Sequence, residues 1–310
     1  MINKKGFSWG SILKFVFFLF VLGLLFFYWI FPINEKNFIL SKPGHSNFTL
    51  NSSLGTNMQF YTNMRYQKSD ISYKIEDCPL PREVEMKRSF EWIENLTTLN
   101  FYETQQNEEI SVTCKDTLIK GERGAFIAGE GGVTNVAITN NFHVILQGKV
   151  ILIRESQCPD PIIGTHELLH ALGFEHSENP NNIMYPTVNC NQIIGEDLIK
   201  EIDYLYSFPS VPDLSFENAS AKLKGKYLDV NMTIRNNGLK NSEESKVIVY
   251  GKNKVLSEVD ISSISIGSGR IISLTNIFTL TNPNEIELFI NYSEDELNKK
   301  NNRVLLEINN

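Results

Sequence analysis

Apolar residues run from Phe15 to Phe31 without a charge. Ser11, Ile12, Leu13 and Ile33 extend the run to about the 20 residues that span a bilayer. Trp9 stands at one end, and Tyr28 and Trp29 at the other, where amphipathic rings favour a membrane interface. Lys4, Lys5 and Lys14 carry the positive charge on the N-terminal side, while Glu35 and Lys36 nearly cancel. The positive-inside rule then keeps the N-terminus in the cytoplasm. The run closes on Phe26-Phe27-Tyr28-Trp29-Ile30-Phe31-Pro32, with no small-x-small site for a signal peptidase. The expectation is a cytoplasmic tail at 1–10, a transmembrane signal anchor at 11–33, and a single-pass cell-membrane protein whose remainder is extracellular. Residues 34–69, polar and rich in Ser, Asn, Pro and Gly, read as a stalk.

The pattern changes at residue 70. Ile71, Tyr73 and Ile75 alternate as in a strand. Pro81 to Leu96 is helical in character, with Val84, Phe90 and Ile93 among good helix formers. Leu99 to Tyr102 and Ile110 to Cys114 read as strands, Gly121 to Gly132 as a glycine-rich loop, and Val133 to Thr139 and Lys149 to Arg154 as strands again. Asp160-Pro161 opens a helix, since Asp accepts from free amides and Pro is preset for the first helical position. It runs to Leu172, where Gly173 ends it. A last helix covers Gly195 to Ser207. Strands alternating with helices make residues 70–209 one α+β unit, a mixed twisted sheet with a helix across it.

Pro209 and Pro212 mark a hinge, and beyond them the period is that of strands alone. Leu228, Val230, Met232 and Ile234 alternate with polar residues up to the turn Asn236-Asn237-Gly238. Lys246 to Tyr250, Ile271 to Leu280, Ile286 to Tyr292 and Val304 to Ile308 follow. Short strands at this spacing make residues 212–310 an all-β sandwich.

Composition narrows the chemistry. A net charge of −7 with no dense basic cluster argues against nucleic acid as a partner. The four cysteines, Cys78, Cys114, Cys158 and Cys190, suit two disulfides in an exported chain. We expect Cys78–Cys114 and Cys158–Cys190, although four cysteines admit three pairings.

Three of the five histidines fall in His166-Glu167-Leu168-Leu169-His170-Ala171-Leu172-Gly173-Phe174-Glu175-His176. His166 and His170 are four apart, so a helix projects both imidazoles from one face. Gly173 permits a sharp exit, after which His176 can approach from another side. Three neutral histidines with a fourth position left open is the pattern of a catalytic zinc.

The stretch resembles the extended zinc signature of the metzincin metallopeptidases. Ser177 after the third histidine, and Asn182-Ile183-Met184-Tyr185-Pro186 beyond it, resemble the matrixin-like branch and its Met-turn. Glu196-Asp197 through Tyr204-Leu205-Tyr206 resembles the C-terminal matrixin helix. The resemblance implies one catalytic zinc on His166, His170 and His176, Glu167 as the base that activates water, and Met184 as an apolar floor. It also implies that substrate adds as a strand to an edge strand, for which Val133 to Thr139 is the candidate. The Pro-Arg-Cys-Gly latency motif is absent, and with His143 the one further histidine in residues 70–209 no second zinc is expected; carboxylates and carbonyls leave room for Ca2+. Pro212-Asp213-Leu214, Asn236-Asn237-Gly238 and Glu296-Leu297-Asn298 to Asn301-Asn302 resemble the CARDB type of adhesion-related module, which implies an all-β immunoglobulin-like sandwich with a surface ligand.

The resulting expectation is a zinc-dependent endopeptidase that hydrolyses extracellular proteins or peptides. The alternative is a cell-surface binding or adhesion protein whose zinc domain does not cleave. Glu167 and all three histidines are present, which favours the enzyme.

Overall fold

The computed structural model describes residues 9–30, 35–40, 58–116 and 127–308. Helix α1 is Trp9–Ile30. Phe31, Pro32 and Ile33, which the sequence reading needed for its span, lie outside the described residues. Among the described residues no helix is long and apolar enough to cross a membrane. The expected anchor at 11–33, and with it the single-pass topology and the membrane as a partner, is therefore corrected.

The first folded unit is a six-stranded sheet. Its strands are β2 (Met64–Tyr66), β3 (Asp70–Glu76), β4 (Asn100–Glu103), β5 (Ile110–Cys114), β6 (Gly129–Ile138) and β7 (His143–Leu152). β3 pairs in parallel with β4 and β5, and β7 in parallel with β5 and β2. β6 runs antiparallel to β7. Parallel strands need crossovers, and helix α2 (Leu80–Glu94) supplies the one between β3 and β4. Met86, Phe90 and Ile93, spaced four and three apart, are buried along one face of α2. Phe90 stacks on Tyr73 with ring centroids 4.0 Å apart.

Helix α3 (Ile162–Ala171) is buried at every residue. It lies against β6, β7 and α2, with Leu168, Leu169 and Leu172 in the main core. Helix α4 (Glu196–Tyr206) closes the unit with Leu198 and Ile202 inward. Buried Arg65 holds the end of α4: its guanidinium donates to the carbonyls of Leu205 and Phe208 and lies 4.3 Å from the Tyr206 ring centre. A cation there also complements the negative end of the helix dipole. Both disulfides are present, Cys78–Cys114 and Cys158–Cys190. The second closes a loop from before α3 to beyond Met184, a constraint worth about 3–4 kcal/mol in the chain-entropy account.

The second unit is an eight-stranded antiparallel sheet around one apolar core. It comprises β1 (Glu35–Leu40), β8 (Leu214–Lys224), β9 (Tyr227–Asn236), β10 (Ser245–Gly251), β11 (Lys254–Ile261), β12 (Gly269–Phe278), β13 (Glu285–Asn291) and β14 (Arg303–Ile308). β1 falls in the segment read from sequence as stalk. It lies between β14 and β8, with Phe38 paired to Ile308 and Ala221 and only 1% exposed. Both flanks of the sheet-and-helix unit thus contribute strands to the sandwich.

A third apolar cluster joins the two units. Phe142 and Val144 of the first pack with Leu239 and Ile266 of the second, and all four are buried. Around it, Asn140 N–H donates to Asn237 Oδ1 at 3.3 Å and Arg235 Nη2 to the Ile138 carbonyl at 3.3 Å. The turn between β6 and β7 is therefore held by the sandwich.

Candidate metal centre

The order in which the chain leaves α3 sets the site. His166 and His170 share a face of the helix, one turn apart. Gly173, at φ 98°, ends the helix in the left-handed region. Gly173 N–H donates to the His170 carbonyl at 3.0 Å and Phe174 N–H to the Leu169 carbonyl at 3.0 Å, the bond pair of a Schellman cap. Residues 58–60 brace this exit: Glu175 N–H donates to the Met58 carbonyl at 2.6 Å, and Phe60 N–H to that of Gly173 at 3.0 Å. The reversal returns His176 to the first two histidines.

His170 Nε2 lies 3.1 Å from His166 Nε2 and 3.2 Å from His176 Nε2. The opposite nitrogens decide what this proximity means. His166 Nδ1 lies 2.6 Å from the Ile183 carbonyl, and His170 Nδ1 lies 2.7 Å from the Phe174 carbonyl. A carbonyl only accepts, so both Nδ1 atoms carry the proton and both Nε2 atoms present lone pairs. Lone pairs facing one another are repulsive unless a cation lies between them. Burial lowers the pKa of all three histidines, His170 to about 4, and keeps them in the neutral form a metal requires. The donor set fits zinc: three imidazoles, two of them oriented by backbone carbonyls.

Glu167 is 7% exposed, one residue from the first ligand. Burial pushes its carboxyl up to about 8, opposed by a hydrogen bond from Gly131 N–H and reinforced by Glu130. A divalent cation beside it would favour the ionised form. Of the glycine-rich stretch read from sequence as a loop, the last four residues, 129–132, are instead the start of β6, while 121–126 lie outside the described residues; Gly129 and Gly131 stand where the strand crosses α3 closely. A Cβ on Gly131 would lie 2.0 Å from the Glu167 carbonyl oxygen, and one on Gly129 would lie 2.6 Å from Glu167 Cγ. A side chain at 131 would have to move the helix that carries the site, and one at 129 would displace the Glu167 side chain. The sequence signal was present in Gly129-Glu130-Gly131-Gly132; what it approached was not.

Met184 is fully buried. Its N–H donates to Asn182 Oδ1 at 2.9 Å, and its carbonyl accepts from Ser177 N–H at 2.8 Å. The turn is thereby pinned to the residue after His176, while its neighbour Ile183 orients His166. Phe60, which sequence reasoning passed over, stacks near His170 at 5.9 Å between ring centres. With Tyr61, Met64, Val133, Val136 and Glu175 it lines a cleft of about 380 Å³ beside β6.

The comparisons with known proteins agree with this geometry. The matrixin family model matches residues 64–207, and the CARDB family model matches residues 211–305. Among solved structures, a CARDB domain from Pyrococcus furiosus, described as in complex with di-metal ions, is 18% identical. That match covers 32% of this chain and 88% of that one, with a TM-score of 0.27, too low to carry an argument. Residues 64–207 are thus a matrixin domain, of the zinc metallopeptidase kind, joined to a CARDB domain at 211–305.

Proposed function

We propose that the protein is a zinc endopeptidase that cleaves extended segments of peptides or proteins. One observation carries the proposal: the three Nε2 atoms converge beside a buried carboxylate, those of His166 and His170 with their lone pairs inward. His166, His170 and His176 would hold the zinc, which when bound lowers the pKa of water and polarises a carbonyl. Glu167 takes a proton from the attacking water and delivers it to the leaving amine. Burial suits it to both acts, because a carboxyl whose pKa lies near neutrality gains and releases a proton readily.

Among the described residues β6 pairs with β7 alone, so its other edge is open to an added strand. The antiparallel ladder shows where that edge ends. Thr139 N–H donates to the Phe142 carbonyl, so Ile138 and His143 form the next, non-hydrogen-bonded pair. The Ile138 carbonyl therefore points off the ladder, where Arg235 of the sandwich takes it. Substrate adds to β6 between Gly132 and Val136, its side chains reach the Phe60–Tyr61 cleft, and the sandwich closes the edge beyond. Residues 212–310 contain neither His nor Cys, so the CARDB domain serves binding and position, not chemistry. The two disulfides suit an oxidising compartment and hence an extracellular substrate.

The test is the full chain, loaded with zinc and incubated with a diverse pool of blocked peptides, the products being sequenced by mass spectrometry. The expected result is cleavage at internal bonds with a shared preference for residues near the cut. Removal of terminal residues alone, or an unchanged pool, would contradict the proposal.

A further inference from the structure

At the root of the sandwich three polar side chains are packed out of water and a fourth lies half-buried beside them. Asp213 is 0% exposed, Asn301 2% and Asn302 3%, and Glu296 is the fourth. They form one connected set. Asn301 Nδ2 donates to Asp213 Oδ1 at 2.9 Å, Asn302 Nδ2 donates to Glu296 Oε2, and Leu214 N–H, next in the chain to Asp213, donates to Glu296 Oε1 at 2.8 Å. Each carboxylate fixes the orientation of its amide, since only the nitrogen can face it. Both amide oxygens are thereby turned away from the carboxylates. Asp213 Oδ2, Asn301 Oδ1 and Asn302 Oδ1 are all buried without a hydrogen-bond partner.

Three orphaned oxygens in one connected cluster are costly, at about 1–3 kcal/mol each. One buried and one half-buried carboxylate add to the cost. Burial raises both the Asp213 and the Glu296 pKa, and the nearby Asp213 charge raises that of Glu296 further. Lys299, the base that acts on Glu296, is half-exposed and paired with Asp295. The set supplies negative charge and oxygen lone pairs and lacks a positive centre. We propose that Asp213, Glu296, Asn301 and Asn302 form a site for a hard divalent cation, calcium in particular. All-oxygen donors of mixed carboxylate and carboxamide type suit calcium and do not suit zinc.

The position gives the site a consequence. Asp213 follows the Pro209–Pro212 hinge directly, and its carbonyl accepts from Asn237 N–H at 2.7 Å. Leu297, beside Glu296, donates to the Pro212 carbonyl at 3.0 Å and packs on the cluster that joins the two units. A cation here ties the last turn of the sandwich to the hinge and stiffens the seat on which the β6–β7 turn rests.

The experiment is calorimetric titration of CaCl2 into the full, zinc-loaded chain, with thermal unfolding at matched salt. The expected result is one saturable calcium event, with a dissociation constant of order 10⁻⁴–10⁻³ M as in extracellular calcium modules, and a higher unfolding temperature. Asp213→Asn and Glu296→Gln should each weaken binding at least tenfold, whereas His166→Ala, which disables the zinc site, should leave it unchanged. No calcium heat and no thermal shift in the parent chain overturns the proposal. So does undiminished binding in the folded Asp213 and Glu296 variants. Should those variants fail to fold, limited proteolysis of the parent decides: calcium should protect the 209–213 hinge, and equal cleavage with and without calcium overturns the site.

Discussion

Replacing Glu167 with glutamine is expected to lower peptide hydrolysis by about 10²–10⁴-fold, the usual contribution of a general base. At 1.36 kcal/mol per decade this is about 3–5 kcal/mol of transition-state stabilisation. Glutamine keeps the length of the side chain and an oxygen that can accept from Gly131 N–H. It loses the capacity to take a proton, which the carboxylate has in the ionised form that a divalent cation beside it favours. Zinc content should be unchanged, because the donors are three imidazoles, and the carbonyls that orient His166 and His170 do not involve Glu167. Hydrolysis at the parent rate by the glutamine variant would remove Glu167 from the mechanism.

Replacing His170 with alanine should act on metal and rate together. His170 Nε2 is the atom near both others, at 3.1 and 3.2 Å, so its loss leaves two donors where three converged. Zinc affinity should fall by several orders of magnitude and turnover should follow it down, with excess zinc restoring only part. The variant also leaves the Phe174 carbonyl without its His170 partner at the helix exit, a cost of about 1–3 kcal/mol visible in thermal unfolding. The two variants separate chemistry from binding: glutamine at 167 keeps the metal and loses the rate, alanine at 170 loses both. A variant at 170 that retained stoichiometric zinc would show that the histidines do not share one ion.

The site was legible because its residues are both rare and periodic. His166 and His170 declare themselves by helical spacing, and Gly173 announces the reversal that brings in His176. The partners that orient the imidazoles were not legible, because backbone carbonyls of Ile183 and Phe174 have no identity in a sequence. Gly129 and Gly131 were visible as glycines, but a close approach to α3 is a tertiary fact. The same holds for β1: a six-residue strand with Lys36 and Asn37 in it gains its place only from partners almost two hundred residues away and beyond. β8 was missed because a bulge between Phe216 and Asn218 breaks its alternation. β6 and β7 were placed but cut short, since glycine and glutamine interrupt the apolar pattern that marks a strand. The N-terminal run was over-read as a span: among the described residues no helix is long and apolar enough to cross a membrane.

Titration of zinc into the metal-free chain, with hydrolysis of one identified peptide followed at each addition, tests the central claim most directly. The account predicts no turnover without metal, then a rise that saturates at about one zinc per chain, as a single three-histidine centre requires. Turnover by the metal-free chain, or saturation with zinc and no turnover, would contradict it.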